Sequence, residues 1–518
     1  MRRFAAAVYR NFAVNYKMNG GQIMSVNIIP MPNKIFEYDG EKVFKENDFF
    51  FEKKDGLGEE GYELLINQDG VFVSYSTDKG RFYAEKTLEQ LKKKNGSLPF
   101  IRISDSPRFS YRAFMIDSAR HMQSVDEIKK YIEAAALYKF NVFHWHLTDD
   151  QGWRVEIEKY PELTRVGAFR NGHGFGSKNK AVYGGYYTKD EIRDIVEFCR
   201  ERYIDVIPEI DMPGHMIAAI ASYPELSCSG KPIGVELNPG VHRTILCAGN
   251  EKVFDFCFDV IDEVCELFPY EYFHIGGDEA PKNRWDNCPK CKERIREEGL
   301  KNSEELQGYF VNRIIGHLKE KGKKAVVWNE SLKSKMLKPG ALVSDWMDKE
   351  HLCEDWANSG GKIIIEDFFH YYLDYNYGIT PLKKTYSFNP MLEKLDIKGR
   401  KSVMGVETPI WTEFVESFDR LCYLCFPRMM AVAESGWTNW GRRNYRDFVR
   451  RAEANRRLLL SMGINMAPKK DWDPLPFGRI KDQLSHYTKF LTRENLRCVR
   501  ANKKEDREAK KRKKGGAD

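Results

Sequence analysis

From about Arg112 onward, short apolar runs alternate with longer stretches whose apolar residues return every three or four positions. The runs fall at 114–117, 141–147, 204–210, 272–275, 325–328, 341–343, 362–365 and 403–406. Between them, 125–138, 189–201, 251–267 and 304–321 carry helical periodicity. Eight short strands joined by helical crossovers predict an α/β fold, a (β/α)8 TIM barrel. Upstream the rhythm differs. Residues 62–66, a turn at 67–70 and 71–75 predict a hairpin, followed by a helix over 81–93 with Tyr83, Leu88 and Leu91 facing inward. The division that follows is an extension at 1–25, a small α+β domain at 26–105, the barrel at 106–465 and a C-terminal extension at 466–518. The helical stretch 445–460 is expected to close the barrel, and the α+β domain shows nothing that suggests catalysis.

A barrel of this kind concentrates function at the C-terminal ends of its strands, and polar or aromatic residues follow all eight. The first run ends at Asp117 and leads to Arg120-His121; the second reaches Asp149-Asp150; the third ends in Glu209-Ile-Asp211-Met-Pro-Gly-His215. Then come Asp278-Glu279, Trp328-Asn329-Glu330, Asp345-Trp346, Glu366-Asp367 and Trp411-Thr-Glu413. Singly these are helix caps or core residues. Together they predict one concave site rimmed by carboxylates and indoles.

Composition narrows the partners. The formal net charge of +7 is concentrated in the last twenty residues, where nine Lys or Arg stand against four Asp or Glu, so the body is near +2. A nearly neutral body excludes a nucleic-acid surface, and no apolar run is long enough to span a membrane. The start, Met1-Arg2-Arg3 followed by Phe4 to Val8, imitates a signal peptide, but Tyr9-Arg10 interrupts it, and we read 1–25 as a disordered or mis-started extension. The Lys/Arg-rich end from Ala501 reads as a solvated tail. Eleven scattered cysteines predict buried thiols in a reducing compartment, the cytoplasm. Cys288-Pro-Lys-Cys291 is a single C-x-x-C without a second pair at zinc spacing, so two free thiols in a loop or helix turn are expected and no metal or cofactor is assigned.

Asp278 and Glu279 stand where an apolar strand breaks at two glycines. Two carboxylates that straddle a glycosidic bond are about 5–5.5 Å apart in a retaining enzyme and about 6.5–9.5 Å in an inverting one. Sequence neighbours with Cα atoms about 3.8 Å apart flank a sugar ring awkwardly. They suit another division of labour, in which one protonates the leaving oxygen and the other steers a 2-acetamido group that attacks C1 from within the substrate. Indoles among carboxylates fit carbohydrate, stacking on the C–H face of a pyranose while the acids bind its hydroxyls. Two other readings compete: a metal-dependent barrel hydrolase built on His144-Trp-His146 with His215 and His274, and a sugar-binding protein that has lost catalysis.

The motifs Asp117-Ser-Ala-Arg120-His121, Asn141-Val-Phe-His-Trp-His-Leu-Thr-Asp149-Asp150-Gln-Gly-Trp153, Glu209-Ile-Asp211-Met-Pro-Gly-His215, His274-Ile-Gly-Gly-Asp278-Glu279 and Trp411-Thr-Glu413 occur in order on the expected strands. In them, over about 26–460, the chain resembles the β-N-acetylhexosaminidases of glycoside hydrolase family 20. The resemblance implies an exo-acting, retaining enzyme that removes terminal GlcNAc or GalNAc through an oxazolinium intermediate. By it, Glu279 is the general acid/base and Asp278 polarises the acetamido group. Asp149 and His215 form a buried relay, and Arg120 grips the 3- and 4-hydroxyls. Trp328, Trp346 and Trp411 wall the acetamido pocket, Tyr372 binds its carbonyl oxygen, and Asp374 and Glu413 hold the far hydroxyls. A dry site with Asp278 charged is the expected setting for the acid. The chain departs from the family at Phe388, where relatives often place a tryptophan, which bears on the aglycone side.

Overall fold

The computed structural model describes residues 26–489, together with Arg500, Asn502, Lys503, Lys504 and Arg507. The expectations for 1–25 and for most of the basic tail lie outside these residues.

The first unit is a five-stranded sheet of β1 (Lys34–Val43), β2 (Phe49–Lys53), β3 (Tyr62–Asn67), β4 (Gly70–Tyr75) and β5 (Ser97–Asp105) in the order β1-β5-β3-β4-β2. The hairpin β3–β4 is antiparallel, and Asn67 Oδ1 stabilises its turn by accepting from the backbone N–H of Asp69 and Gly70. Helix α1 spans Asp78–Leu91 and buries Tyr83, Leu88 and Leu91. It starts three residues before the expected position because Thr77 caps it.

The barrel strands are β6 (Tyr111–Asp117), β7 (Val142–Asp149), β8 (Asp205–Ile210), β9 (Tyr272–His274), β10 (Lys324–Trp328), β11 (Leu342–Asp345), β12 (Lys362–Ile365) and β13 (Val403–Ile410). Each pairs in parallel with the next, and β13 pairs with β6, so the sheet closes. Strand β13 runs four residues past its expected end. Its buried Glu407 looks unlike a strand residue, but it accepts from Tyr111 Oη at 2.8 Å and contacts His144 Nδ1 at 2.6 Å. The crossovers begin on sequence-encoded caps: Ser124 with Glu127 before α2 (Val125–Leu137), and Thr188 with Glu191 before α3 (Lys189–Arg200). Helices α4 (Glu251–Leu267), α5 (Pro289–Glu297) and α6 (Ser303–Glu320) follow. No helix among the described residues is long and apolar enough to cross a membrane.

The helix Tyr445–Ser461 does not close the barrel, since pairing of β13 with β6 already does. It ties the entering chain to the barrel instead. Arg450 donates to Val26 O, Asn455 to Asn27 O and Arg451 to Ile28 O, while Arg451 also pairs with buried Glu434.

The first unit is fastened to the N-terminal ends of the barrel strands, away from the strand ends that carry function. Trp437, from the helix Arg428–Trp437, packs into the first unit's core. Arg112 grips Glu60 with both terminal nitrogens, at 2.8 and 2.9 Å, and Lys139 meets Asp105 at 3.3 Å with both side chains fully buried.

Candidate active site

All eight strand ends contribute to one pocket at the C-terminal face. It is lined by Arg120, Asp149, Asp211 and His215, Asp278 and Glu279, Trp328, Trp346, the cluster Phe368, Tyr372, Asp374 and Tyr375, and Trp411, Glu413 and Phe414. His486, from the helix Pro476–Lys489, completes the lining. The eleven residues singled out from the sequence are thus brought together. Asp211, Phe368, Tyr375, Phe414 and His486 were not singled out. For Asp211 the signal was present, two residues beyond Glu209 in a strand-end motif. Nothing in the spacing ties His486, more than seventy residues beyond the last strand, to the site.

The two glycines before the acid pair have a steric cause. Gly276 (φ +69°) and Gly277 (φ +103°) adopt left-handed backbone. A Cβ on Gly276 would lie 1.6 Å from Asp211 Oδ1, and one on Gly277 would lie 2.4 Å from Ser331 Oγ. The close approach lets the Gly277 N–H donate to Asp211 Oδ1 at 3.2 Å. Glu279 itself has φ +42° and His215 φ +53°, conformations that cost a non-glycine residue on the order of 1 kcal/mol and that persist where surroundings impose them. Gln307 supports the turn by donating to Gly277 O at 2.7 Å.

His215 sits between two pairs of carboxylates, Asp149 with Asp150 and Asp278 with Glu279. Its Nδ1 donates to Asp149 Oδ1 at 3.1 Å, while its Nε2 lies 3.8 Å from Asp278 Oδ2 and 3.7 Å from Glu279 Oε2. The acids therefore stand on one wall, against one imidazole. Asp149 is anchored further by Arg120 Nη2 at 2.7 Å and His146 Nε2 at 2.9 Å, which hold its carboxyl well below the usual range although burial works to raise it. Burial alone would keep His215 neutral, yet Asp149, Asp211 and Asp278 raise it well above the ordinary imidazole value.

Burial pushes the Asp278 carboxyl up to about 7; the His215 charge pulls against that, and Glu330 and Glu279 add to it. The Asp278 side chain is 13% exposed, whereas that of Glu279 is 35% exposed, so the deeper carboxyl is the aspartate and Glu279 faces the opening. Asp278 Oδ1 and Asp374 Oδ1 are buried and accept no hydrogen bond from the described protein groups. Burial likewise pushes Asp374 up to about 8, with Glu413 adding to it.

The aromatic wall is continuous. Trp346 and Tyr372 stack with centroids 6.1 Å apart, and Trp411 lies 6.1 Å from Trp328 and 6.3 Å from Tyr372. The indole N–H of Trp328 donates to Glu209 and that of Trp346 to Glu330, both at 2.8 Å, which fixes the ring planes. Arg120 lies over Trp411 at 5.1 Å and holds Asp117 and Gln151 as well as Asp149. Phe388 is not part of this wall: it stacks on His370 at 4.3 Å and meets Tyr371 edge-on at 5.1 Å. Not every strand-end acid faces the pocket either. Asp150 accepts from the Ile217 N–H, Asp367 contacts His370, and Glu366 lies buried beside the charge of Glu407.

The histidines of the H-x-H lie beneath the pocket and face carboxylates. His146 is held between Glu209 and Asp149, and His144 contacts Glu407 at 2.6 Å and Glu209 at 3.2 Å. Burial opposes their charge, but these acids raise His144 to about 10 and His146 to about 9.

Comparison with known proteins agrees with the geometry. The model of the glycosyl hydrolase family 20 catalytic domain matches residues 109–440, and that of the family's domain 2 matches 36–106. The β-hexosaminidase of Porphyromonas gingivalis is 40% identical over 79% of this chain, and that of Vibrio furnissii is 35% identical over 73%. The chain spans only 55% and 66% of the length of those relatives. The crystal structure of the Vibrio harveyi exo β-N-acetylglucosaminidase in complex with N-acetylglucosamine superposes with a TM-score of 0.78 at 29% identity, over 88% of this chain and 80% of that one. The catalytic-domain match takes in every barrel strand and the whole Asp278-Glu279 turn, and on that ground the chain belongs to glycosyl hydrolase family 20.

Proposed function

We propose that the chain is an exo-acting, retaining β-N-acetylhexosaminidase that removes terminal β-linked GlcNAc or GalNAc by substrate-assisted catalysis. The observation that carries this reading is the Asp278–Glu279 pair on one wall, with Asp278 Oδ1 buried, lacking a hydrogen-bond partner among the described protein groups and adjoining an aromatic pocket. An amide N–H of the substrate supplies the missing donor, and a buried polar atom is expected to be satisfied. A relative of 29% identity holding GlcNAc supports the same sugar class.

In the first step the acetamido carbonyl oxygen attacks C1, the bond from C1 to the leaving oxygen breaks, and Glu279 gives that oxygen its proton. Asp278 accepts the amide N–H and, as the ring acquires positive charge, serves as the counter-anion. In the second step water loses a proton to Glu279 and attacks C1 from the opposite face, and the ring reopens with β configuration restored. Trp328, Trp346 and Trp411 confine the acetamido group, with Tyr372 donating to its carbonyl oxygen. Arg120, Asp374 and Glu413 take the hydroxyls of the terminal sugar, and the Asp149–His215 pair positions Glu279. The ten described cysteines are all free thiols, which supports a reducing compartment; recovery of the native enzyme in an oxidising one would overturn that part.

The test compares an aryl N-acetyl-β-glucosaminide with the plain β-glucoside and follows the first-formed anomer by NMR. Substrate assistance requires turnover of the acetamido sugar alone and a β product. Equal rates on both sugars, or a covalent glycosyl ester on the protein, would refute it.

A further inference from the structure

The C-x-x-C at Cys288 and Cys291 is not isolated in space. Cys228 and Cys247, from the long connection between β8 and α4, lie against it, and the four sulfurs are all within 4.8 Å of one another. Cys228 Sγ is 3.8 Å from Cys291 Sγ, and Cys247 Sγ is 3.8 Å from Cys288 Sγ and 3.7 Å from Cys291 Sγ. None of the four is in a disulfide. Four sulfurs at about 2.3 Å from a tetrahedral ion are separated by about 3.8 Å along each edge. Three of the six edges match that length, and a set confined to 4.8 Å encloses one ion rather than a multi-iron cluster. We propose that Cys228, Cys247, Cys288 and Cys291 bind a single structural zinc ion that ties together the two loops carrying the acid pair and its histidine.

The surroundings are built for this. Cys288 stands at the N-terminal boundary of α5 and Cys291 lies in its first turn, where the helix dipole favours thiolate. Gly249 lets the segments close: a Cβ there would lie 2.2 Å from the Lys290 carbonyl carbon and 2.4 Å from the Cys291 nitrogen. Cys247 is held by its N–H donating to Leu226 O at 2.8 Å, and Trp285 Nε1 donates to Leu246 O at 2.8 Å, joining the second loop to the first. Three of the thiols are buried and Cys228 stands half-exposed at the edge, an entry side for the ion. Four protein ligands leave no open position, so the ion would be structural and not catalytic. The loop from β8 also bears Asp211 and His215, and the loop from β9 ends in Asp278-Glu279 before reaching Cys288. The sequence hid the set because eighteen residues separate its first two ligands.

The test uses the full chain purified under reducing conditions without a metal-binding tag. Elemental analysis should find about one zinc per chain, and cobalt substitution should give the visible and near-ultraviolet bands of tetrahedral tetrathiolate. Cys291→Ser and the edge variant Cys228→Ser should each lose the zinc. In the wild type, alkylation followed by peptide mass spectrometry should spare these four thiols until a mercurial displaces the ion. Zinc far below stoichiometry, with all four thiols alkylated whether or not zinc is added, would overturn the site. So would full zinc retention in both variants. Because these readouts are independent of hydrolysis, failure of the proposed glycosidase activity would leave this result standing, and the converse.

Discussion

The two ends of the barrel both bury charge, and they do so in opposite ways. At the N-terminal end two carboxyls meet two cations: Glu60 with Arg112, and Asp105 with Lys139. Burial raises Glu60, but Arg112, Lys79 and Asn141 together lower it more, so it stays below the ordinary range. At the C-terminal end six carboxyls line a pocket whose cationic counterparts are Arg120 and His215, while burial and Lys489 lower the His486 imidazole. There burial wins at Asp278 and Asp374, pushing them up to about 7 and about 8. The lower cluster is complete as folded, whereas the upper one holds buried oxygens that accept nothing from the described protein groups. A stabilising cluster balances its own charge; a binding cluster leaves part of the balance to the ligand.

The largest test of that contrast lies at the top. Glu279→Gln should cut hydrolysis of substrates with poor leaving groups by roughly a thousand-fold, with folding intact. Turnover within a few-fold of wild type would remove Glu279 from the role. At the bottom the signs reverse. Arg112→Met leaves Glu60 buried without its cation and should cost about 3–5 kcal/mol of stability, measured by denaturant unfolding, while kcat of the folded fraction stays unchanged. A loss of activity without a loss of stability would mean that the lower cluster serves the site.

The lower cluster was invisible in the sequence, and its opacity is instructive. Arg112, Lys139, Glu60 and Asp105 are far apart along the chain and flank turns or strand starts, where charged residues are ordinary. Only the docking of the first unit brings them together. The barrel was legible because its strands are short apolar runs between capped, periodic helices, and the site was legible because barrel topology gathers strand ends on one face. What escaped depended on tertiary pairing: the last four residues of β13, whose Glu407 is a strand residue only because Tyr111 and His144 meet it; the two distant cysteines beside Cys288; and the placement of Phe388 against His370.

A smaller effect separates the two ends by pH. With an ordinary value of 3.8 raised to about 7, Asp278 in the native protein keeps a proton between about pH 4 and pH 7 that the unfolded chain has released. Stability from this group is therefore full below pH 4, declines through that window and is gone above 7. Asp278→Asn should be more stable than wild type at pH 8, by about 1–2 kcal/mol, and the advantage should shrink toward pH 5. The same variant should lose rate chiefly on acetamido sugars. A stability difference that does not vary between pH 5 and pH 8 would show that Asp278 is not the group holding the proton.

The smallest effect belongs to the rim, where the site reaches beyond the barrel. His486 packs 4.7 Å from Tyr375 and 6.5 Å from Phe414, and Lys489 lies 5.0 Å over the Phe414 ring. Asp482 secures the helix by accepting from the Gly378 N–H at 2.9 Å. On the proposed reading, with Phe388 against His370, these side chains are where a second sugar would rest. His486→Ala should raise KM for a di- or trisaccharide about two- to three-fold with kcat nearly unchanged, the mark of binding lost equally from ground and transition states. An aryl glycoside of the single sugar should scarcely respond. A shift of the same size on both substrates would place His486 against the terminal sugar itself, and the asymmetry between a self-sufficient barrel floor and a ligand-completed mouth would then extend to the C-terminal helix.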